Sequence, residues 1–245
     1  MGKPHLLDLF CGAGGAGEGY ARAGFEVIGC DLDAKPLHHN PHECYQGDAL
    51  EVLDTLLAGE AWQGYHLRDF AMVRASPPCQ DYSSGSSWLT PARPVKLQHP
   101  RLIVPVRERL MRTGLPWEIE NVRNALPDML NPVMLCGTMF GLRVQRHRIF
   151  DSSHLLFAAG ACHHQPYDVS VRKHRTEYLG LRTNPHTMPS GEIRYRNPHC
   201  PIIAARSAMG IDWMNSGELG EAIPPAYTEF LGRQLYSAIE SEAVA

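Results

Sequence analysis

No run of 18 or more apolar residues occurs in the 245-residue chain, so no membrane-spanning helix is expected. The opening MGKPHLLDLF enters an apolar strand pattern without a charged-then-apolar layout and cleavage site, and no secretory leader is expected. The seven cysteines (Cys11, Cys30, Cys44, Cys79, Cys136, Cys162, Cys200) are odd in number and scattered, which argues against a disulfide framework. A reducing cytoplasm is therefore the expected compartment. Excess charge of one sign is also missing. A net charge of -3 gives no global basic footprint, so a nucleic-acid partner would have to meet positive charge gathered locally. There are no internal repeats and no long low-complexity run. What is present, at 44% hydrophobic residues, suffices for one α/β domain with room for a small insertion.

Short apolar runs alternate with amphipathic stretches in the first 150 residues, which predicts βαβ units and a mostly parallel, doubly wound sheet. Strands are expected at His5–Phe10, Phe25–Cys30, Phe70–Ala75, Trp117–Glu120 and Arg148–Asp151. Helices are expected near Gly15–Ala23, over Ala49–Leu57, over Arg101–Arg112 despite Pro105, and from about Glu218 to Glu240. Between Asp151 and Ala205 the periodicity fails in a stretch rich in His, Pro, Arg and Asn. The expected organisation is a catalytic and cofactor-binding domain over 1–150, a small irregular recognition region over 151–205, and a returning segment over 206–245.

Leu7–Gly17 reads as a strand running into a glycine turn ahead of a helix. Its glycines (Gly12, Gly14) permit positive φ and a close approach of backbone to ligand, and the helix start beyond offers free N–H groups. Asp31 ends the second strand, where a carboxylate can accept from ribose hydroxyls, and Asp48 ends the next, placed to meet an adenine edge. A glycine turn alone also suits dehydrogenases and flavoproteins. Its pairing with two strand-end carboxylates points to a nucleoside-containing cofactor.

Ser76-Pro77-Pro78-Cys79-Gln80-Asp81-Tyr82-Ser83 places a cysteine just past a strand end. Most cysteines are small buried hydrophobes. Here two prolines fix the direction of the loop, and Ser83–Ser87 read as a mobile flap, which favours a reactive thiol. Glu120-Asn121-Val122 brings a carboxylate to the same edge of the sheet. In Gln145-Arg146-His147-Arg148-Ile149-Phe150, strand alternation would put Arg146 and Arg148 on one face, where they could orient that glutamate or hold a phosphate. A plain edge-strand charge ladder is the competing account.

Taken together, DLFCGAGG, the Asp31 strand end, SPPCQ, ENV, RHRIF and the late Gly220-Glu221-Ala222-Ile223-Pro224-Pro225 resemble the DNA cytosine-C5 methyltransferase family, in the family's own order. The likeness covers nearly everything outside 151–205. It implies a Rossmann-like fold that binds S-adenosyl-L-methionine through Asp8, Phe10, Cys11, Gly12, Gly14, Asp31, Asp48, Pro78 and Ala222. It implies double-stranded DNA as the partner, with no membrane and no obligate protein partner, in DNA methylation of the restriction-modification kind. By the same resemblance, Cys79 adds to C6 of a flipped-out cytosine, and Glu120 in its acid form engages N3, which requires a raised pKa. Arg148 and Arg146 support the glutamate and the base. Asn121 shapes the loop, while Gln80 and Ser83 meet the DNA backbone. Two departures mark a divergent branch. The family's glutamine two places before Arg146 is Val144 here, with Gln145 displaced by one, and the usual Asn-Ser or Asn-Ala of the late motif is Glu221-Ala222.

Residues 172–196 hold six Arg or Lys against two Glu, a local +4, so Arg172, Lys173 and Arg175 are candidate phosphate contacts. A solvated loop surface is the bland alternative. The region also carries Cys162-His163-His164 and His199-Cys200, residue types that suit zinc. Neither half has the usual two-residue ligand spacing, and no metal is expected. Three rivals remain. The same chemistry on RNA cytosine would show competition by tRNA. A catalytically silent binding module is opposed by the intact Cys79 and Glu120. A nicotinamide or flavin oxidoreductase rests on the glycine turn alone, and absorbance with a nicotinamide titration would separate it.

Overall fold

In the computed structural model, residues 2–80, 82, 101–166, 168–172, 175–178, 186–187, 193–194 and 199–244 are described. The elements run β1 (His5–Leu9), α1 (Gly15–Ala23), β2 (Glu26–Asp31), α2 (Ala34–Leu37), β3 (Glu43–Gln46), α3 (Ala49–Leu57), β4 (Phe70–Ala75) and α4 (Ile103–Thr113). They continue through β5 (Trp117–Asn121), β6 (Val133–Leu135), β7 (Arg148–Ser152), β8 (Val169–Arg172), β9 (Arg175–Tyr178), β10 (His186–Thr187) and β11 (Ile193–Arg194). Three helices close the chain: α5 (Ile202–Met209), α6 (Ser216–Glu221) and α7 (Pro225–Val244).

The main sheet has seven strands in the order β3-β2-β1-β4-β5-β7-β6. Its first five strands are parallel, and β7 runs antiparallel to both β5 and β6. This is the doubly wound, mostly parallel architecture expected from the sequence. Alternation explains its two faces. Leu7, Leu9, Ile28, Val73 and Ala75 pack beneath α3 (Val52, Leu53, Leu56) and α4 (Ile103, Val106, Leu110). Leu6, Val27, Met72 and Phe150 pack beneath α1 (Ala16, Tyr20) and α7 (Tyr227, Leu231, Leu235). Burial on both faces is why these strands read as nearly continuous apolar runs. Helices α1 and α7 meet closely enough that a Cβ on Gly19 would overlap Thr228 Oγ1 and the Pro225 carbonyl, a site only glycine fits.

The remaining part of the chain builds a smaller core from Val144, Val169, Val171, Cys200, Ala205, Met209, Ile211, Met214 and Leu219. Two antiparallel pairs, β8–β9 and β10–β11, belong to this region. Among the described residues no helix is long and apolar enough to cross a membrane.

Pro105 is harmless because α4 starts at Ile103, so the missing N–H falls in the first turn, which has no intrahelical acceptor. The single late helix expected from Glu218 to Glu240 is instead two. Helix α6 stops at Glu221 and α7 restarts at Pro225, a residue pre-organised for the first helical position.

Candidate active site

Because β1, β2, β4 and β5 are parallel, their C-terminal ends open on one edge. β1 sits where the chain order reverses between β2 and β4, the crevice in which α/β sheets take ligands.

At this edge the chain leaves β1 through Phe10 (φ 60), Gly12 (φ 50) and Gly14 (φ 80). Asn40 closes the turn, its Nδ2 donating to the Gly12 carbonyl at 3.0 Å, and a Cβ on Gly14 would lie 2.8 Å from Pro41 Cδ. In front of Gly12 the space is open, with nothing within 4 Å of an added Cβ. Asp31 accepts from Gly12 N–H and Asp33 N–H, each at 2.9 Å. Burial pushes its carboxyl above the usual value, against the downward pull of those two N–H groups. The N-cap of α1 is Gly14, with no side chain to occupy the first N–H groups. An open glycine backbone, an uncapped helix start and a strand-end carboxylate together fit the nucleoside and carboxylate parts of S-adenosylmethionine. The late segment closes the back of the turn: a Cβ on Gly15 would lie 3.3 Å from Ala222 Cβ, and Trp213 Nε1 donates to Ala13 O at 2.8 Å.

Two expected cofactor residues have other partners here. Asp48 caps α3, its Oδ1 accepting from Leu50 N at 2.8 Å and Glu51 N at 3.3 Å. Asp8 is fully buried below the edge and accepts from Arg74 Nη1 at 2.8 Å. Strand alternation turns Asp8 to the α1 side, while Leu7 and Leu9 turn to the other. Cys11 is buried, and that burial with Asp8 and Asp31 nearby pushes its thiol well above the ordinary range.

The chemical half of the site assembles from β4, β5 and β7. Ser76 N–H donates to Leu9 O at 3.1 Å, so the Pro77-Pro78-Cys79 loop starts against β1. Asn121 Nδ2 donates to Pro77 O at 2.9 Å and pins that loop to the end of β5. Beyond Cys79, Tyr82 N–H returns to Cys79 O at 3.0 Å, and the buried Tyr82 hydroxyl donates to Asp128. Cys79 itself is half-buried and Gln80 exposed; Ser83 and the flap reading of Ser83–Ser87 lie outside the described residues.

Glu120 is 4% exposed, with Ser76 Oγ donating to Oε2 and Arg148 Nε lying 3.0 Å from Oε1. The arginine contact is ionic without hydrogen-bond alignment, so Oε1 keeps no hydrogen-bond partner among the described residues. A buried, positioned oxygen in that condition can receive a ring nitrogen. Arg146 departs from expectation. Its Nη1 and Nη2 donate to Val171 O (2.9 Å) and Gly220 O (2.8 Å), bracing the small core against the late segment. The reason is local: β7 begins at Arg148, so strand alternation does not extend back to Arg146. Burial lowers the Arg146 pKa to about 9, helped by Arg148 and opposed by Glu120 and Cys79.

Arg172 and Arg175 stand opposite each other in the β8–β9 register, and Lys173 lies outside the described residues. The two halves of the suspected zinc set separate, since Cys200 is buried in the small core while Cys162 and His164 turn toward Cys136 and His147. Sequence reasoning missed Cys136 and His147 as their neighbours, and it missed Ser76 on Glu120. The serine was legible in hindsight as the residue opening SPPCQ; the cysteine and histidine carried no spacing signal.

No family model matches the chain. Over 83 residues, 32% of this chain, it is 32% identical to the Type II methyltransferase M.AgeI of Thalassovita gelatinovora, a match that spans only 19% of that relative. Among solved structures, it is similar to a prophage-encoded E. coli protein provisionally described as a DNA modification methyltransferase. That pair has a TM-score of 0.54 and 15% identity, over 97% of this chain and 99% of the other. It is likewise similar to a mutant of Spodoptera frugiperda DNMT2, with a TM-score of 0.56 and 12% identity over 95% and 99% of the two chains. At these identities the structural likeness shows a Rossmann-like fold.

Proposed function

We propose that the chain transfers a methyl group from S-adenosylmethionine to C5 of cytosine in double-stranded DNA, using Cys79 as a covalent nucleophile on a flipped base. The observation that carries this reading is Glu120, held between Ser76 and Arg148 beside the proline-stiffened Cys79 loop. When bound, S-adenosylmethionine supplies a methyl group made electrophilic by its sulfonium. Asp31 would hold the ribose, and the Gly12–Gly14 turn with the start of α1 would hold the carboxylate end.

In this reading the Cys79 thiolate forms a bond to C6, which moves electron density onto C5. Glu120 engages N3 of the ring as charge gathers there, while Arg148 and Ser76 fix its plane. After C5 is methylated, its proton leaves to a base, the ring double bond re-forms and Cys79 departs as thiolate. Arg146 acts at one remove, as a positioning residue. A base inside a duplex must leave the stack to reach Cys79, at a cost of a few kcal/mol.

Bisulfite sequencing of DNA and of RNA from cells expressing the chain tests the proposal. Protected cytosines in a fixed sequence context are expected, and protection confined to RNA would redirect the assignment to that substrate. The cofactor half is tested separately. Asp31→Ala should weaken S-adenosylmethionine binding by about 1–3 kcal/mol, the scale of charged hydrogen bonds removed. Unchanged affinity in calorimetry would remove the ribose assignment. For the substrate half, replacing Arg172, Lys173 and Arg175 with alanine should flatten the salt dependence of duplex binding by about one unit of slope for each phosphate no longer neutralised. An unaltered slope would make the patch a solvated surface.

A further inference from the structure

Cys136, His147, Cys162 and His164 bring four ligand atoms together outside the reacting groups, all within 4.8 Å of one another. The cluster joins three separate segments. Cys136 follows β6, His147 precedes β7 between Arg146 and Arg148, and Cys162 and His164 lie at the start of the stretch beyond β7. Cys136 Sγ lies 3.4 Å from His164 Nε2, and Cys162 Sγ lies 3.7 Å from His147 Nε2. A tetrahedral zinc ion with bonds of about 2.3 Å to sulfur and 2.0–2.1 Å to nitrogen spaces its sulfur and nitrogen ligands by roughly 3.5 Å. Two of the six edges of such a tetrahedron are thus already near their length.

The surroundings suit a metal better than two ordinary thiol–imidazole contacts. Thr138 Oγ1 donates to Cys136 Sγ at 3.6 Å while accepting from His163 N–H at 3.2 Å, so the sulfur has a polar neighbour that orients it. Two thiolate and two imidazole ligands balance the charge of Zn²⁺, which matters beside the positive charge that Arg123 and Arg148 bring to His147. Four protein ligands leave no open position, the mark of a structural rather than catalytic zinc.

We propose that Cys136, His147, Cys162 and His164 form a structural zinc site that fastens the segment beyond β7 to the β6–β7 edge and fixes the backbone from which Arg146 and Arg148 extend. The site stands independently of the reaction assigned above, and its test reads metal directly.

The full-length wild-type chain, purified from zinc-supplemented cells and desalted, should carry one zinc ion per chain by plasma mass spectrometry. Cobalt(II) added after zinc removal should give the intense visible bands of tetrahedral coordination with thiolate-to-cobalt charge transfer, abolished on adding zinc. Cys162→Ser and His164→Asn, at half-buried and exposed positions, should each lower zinc content about tenfold, whereas Cys44→Ser, outside the cluster, should keep it. Zinc-free wild-type protein with only weak octahedral cobalt absorption would overturn the site. So would full zinc content in both cluster variants, or a Cys136–Cys162 disulfide in protein purified under reducing conditions.

Discussion

Cys79→Ser is expected to lower methyl transfer by roughly 10⁴-fold or more, the scale of losing a covalent nucleophile, while leaving cofactor affinity nearly unchanged. The hydroxyl is far less ionised than a thiol near neutral pH and cannot supply the attacking anion. The same step predicts a trap. A duplex with 5-fluorocytosine at the target should stay bonded to wild-type protein through denaturing electrophoresis, in an S-adenosylmethionine-dependent way, because fluorine does not leave as the proton does. Glu120→Gln should slow trapping and spare cofactor binding, since Glu120 stands with Ser76 and Arg148 rather than at the Asp31 end of the crevice. A Cys79→Ser enzyme that methylates near the wild-type rate would end the covalent mechanism.

The second large effect lies in the core. Arg74 Nη1 donates to Asp8 Oδ1 at 2.8 Å and Arg74 Nε lies 3.7 Å from Glu118 Oε1, with Asp8 and Glu118 both fully buried. Tyr20 donates its hydroxyl to Glu118 from α1, so the network ties β1, β4, β5 and α1 together. Arg74→Met should cost about 3–5 kcal/mol at pH 7, because the buried Asp8 and Glu118 side chains lose the cation they share. Adding Asp8→Asn and Glu118→Gln should recover part of that loss, and urea titrations of the variants measure both. A cost below about 1 kcal/mol would mean the network is hydrated or rearranges freely.

Glu118 also makes stability depend on pH. Burial raises its pKa to about 7 from 4.5, outweighing the downward pulls of Arg74 and the Tyr20 hydroxyl. A carboxyl that holds its proton more tightly when folded adds stability below its unfolded pKa, and that contribution fades as pH rises through about 7. Between those values its share of the unfolding free energy should fall with pH, by at most about 1.4 kcal/mol per pH unit for one proton. Glu118→Gln should remove this slope, and an unchanged pH profile would show that Glu118 does not carry it.

Elements whose signal is local were legible in the chain. Residues 49–57 and 70–75 fall where the apolar periodicity predicts them, because amphipathic spacing and a run buried on both faces are properties of consecutive residues. The Cys79 loop and Glu120 were legible for a similar reason: each sits directly after a strand or at its end, and a parallel sheet sends all such ends to one edge. Tertiary structure alone decided which arginine meets Glu120, because the choice turns on β7 starting at Arg148 rather than two residues earlier. It also placed Asp8 in the core, since its partner Arg74 is 66 residues away and no short-range pattern announces the pair. The small core draws on Val144 and Leu219, from either side of the irregular stretch read as a separate region. The Cys136, His147, Cys162 and His164 cluster is the extreme case. Its members come from a strand end, a pre-strand segment and a loop, so their spacing along the chain carries no ligand pattern until β6 and β7 pair and bring them together.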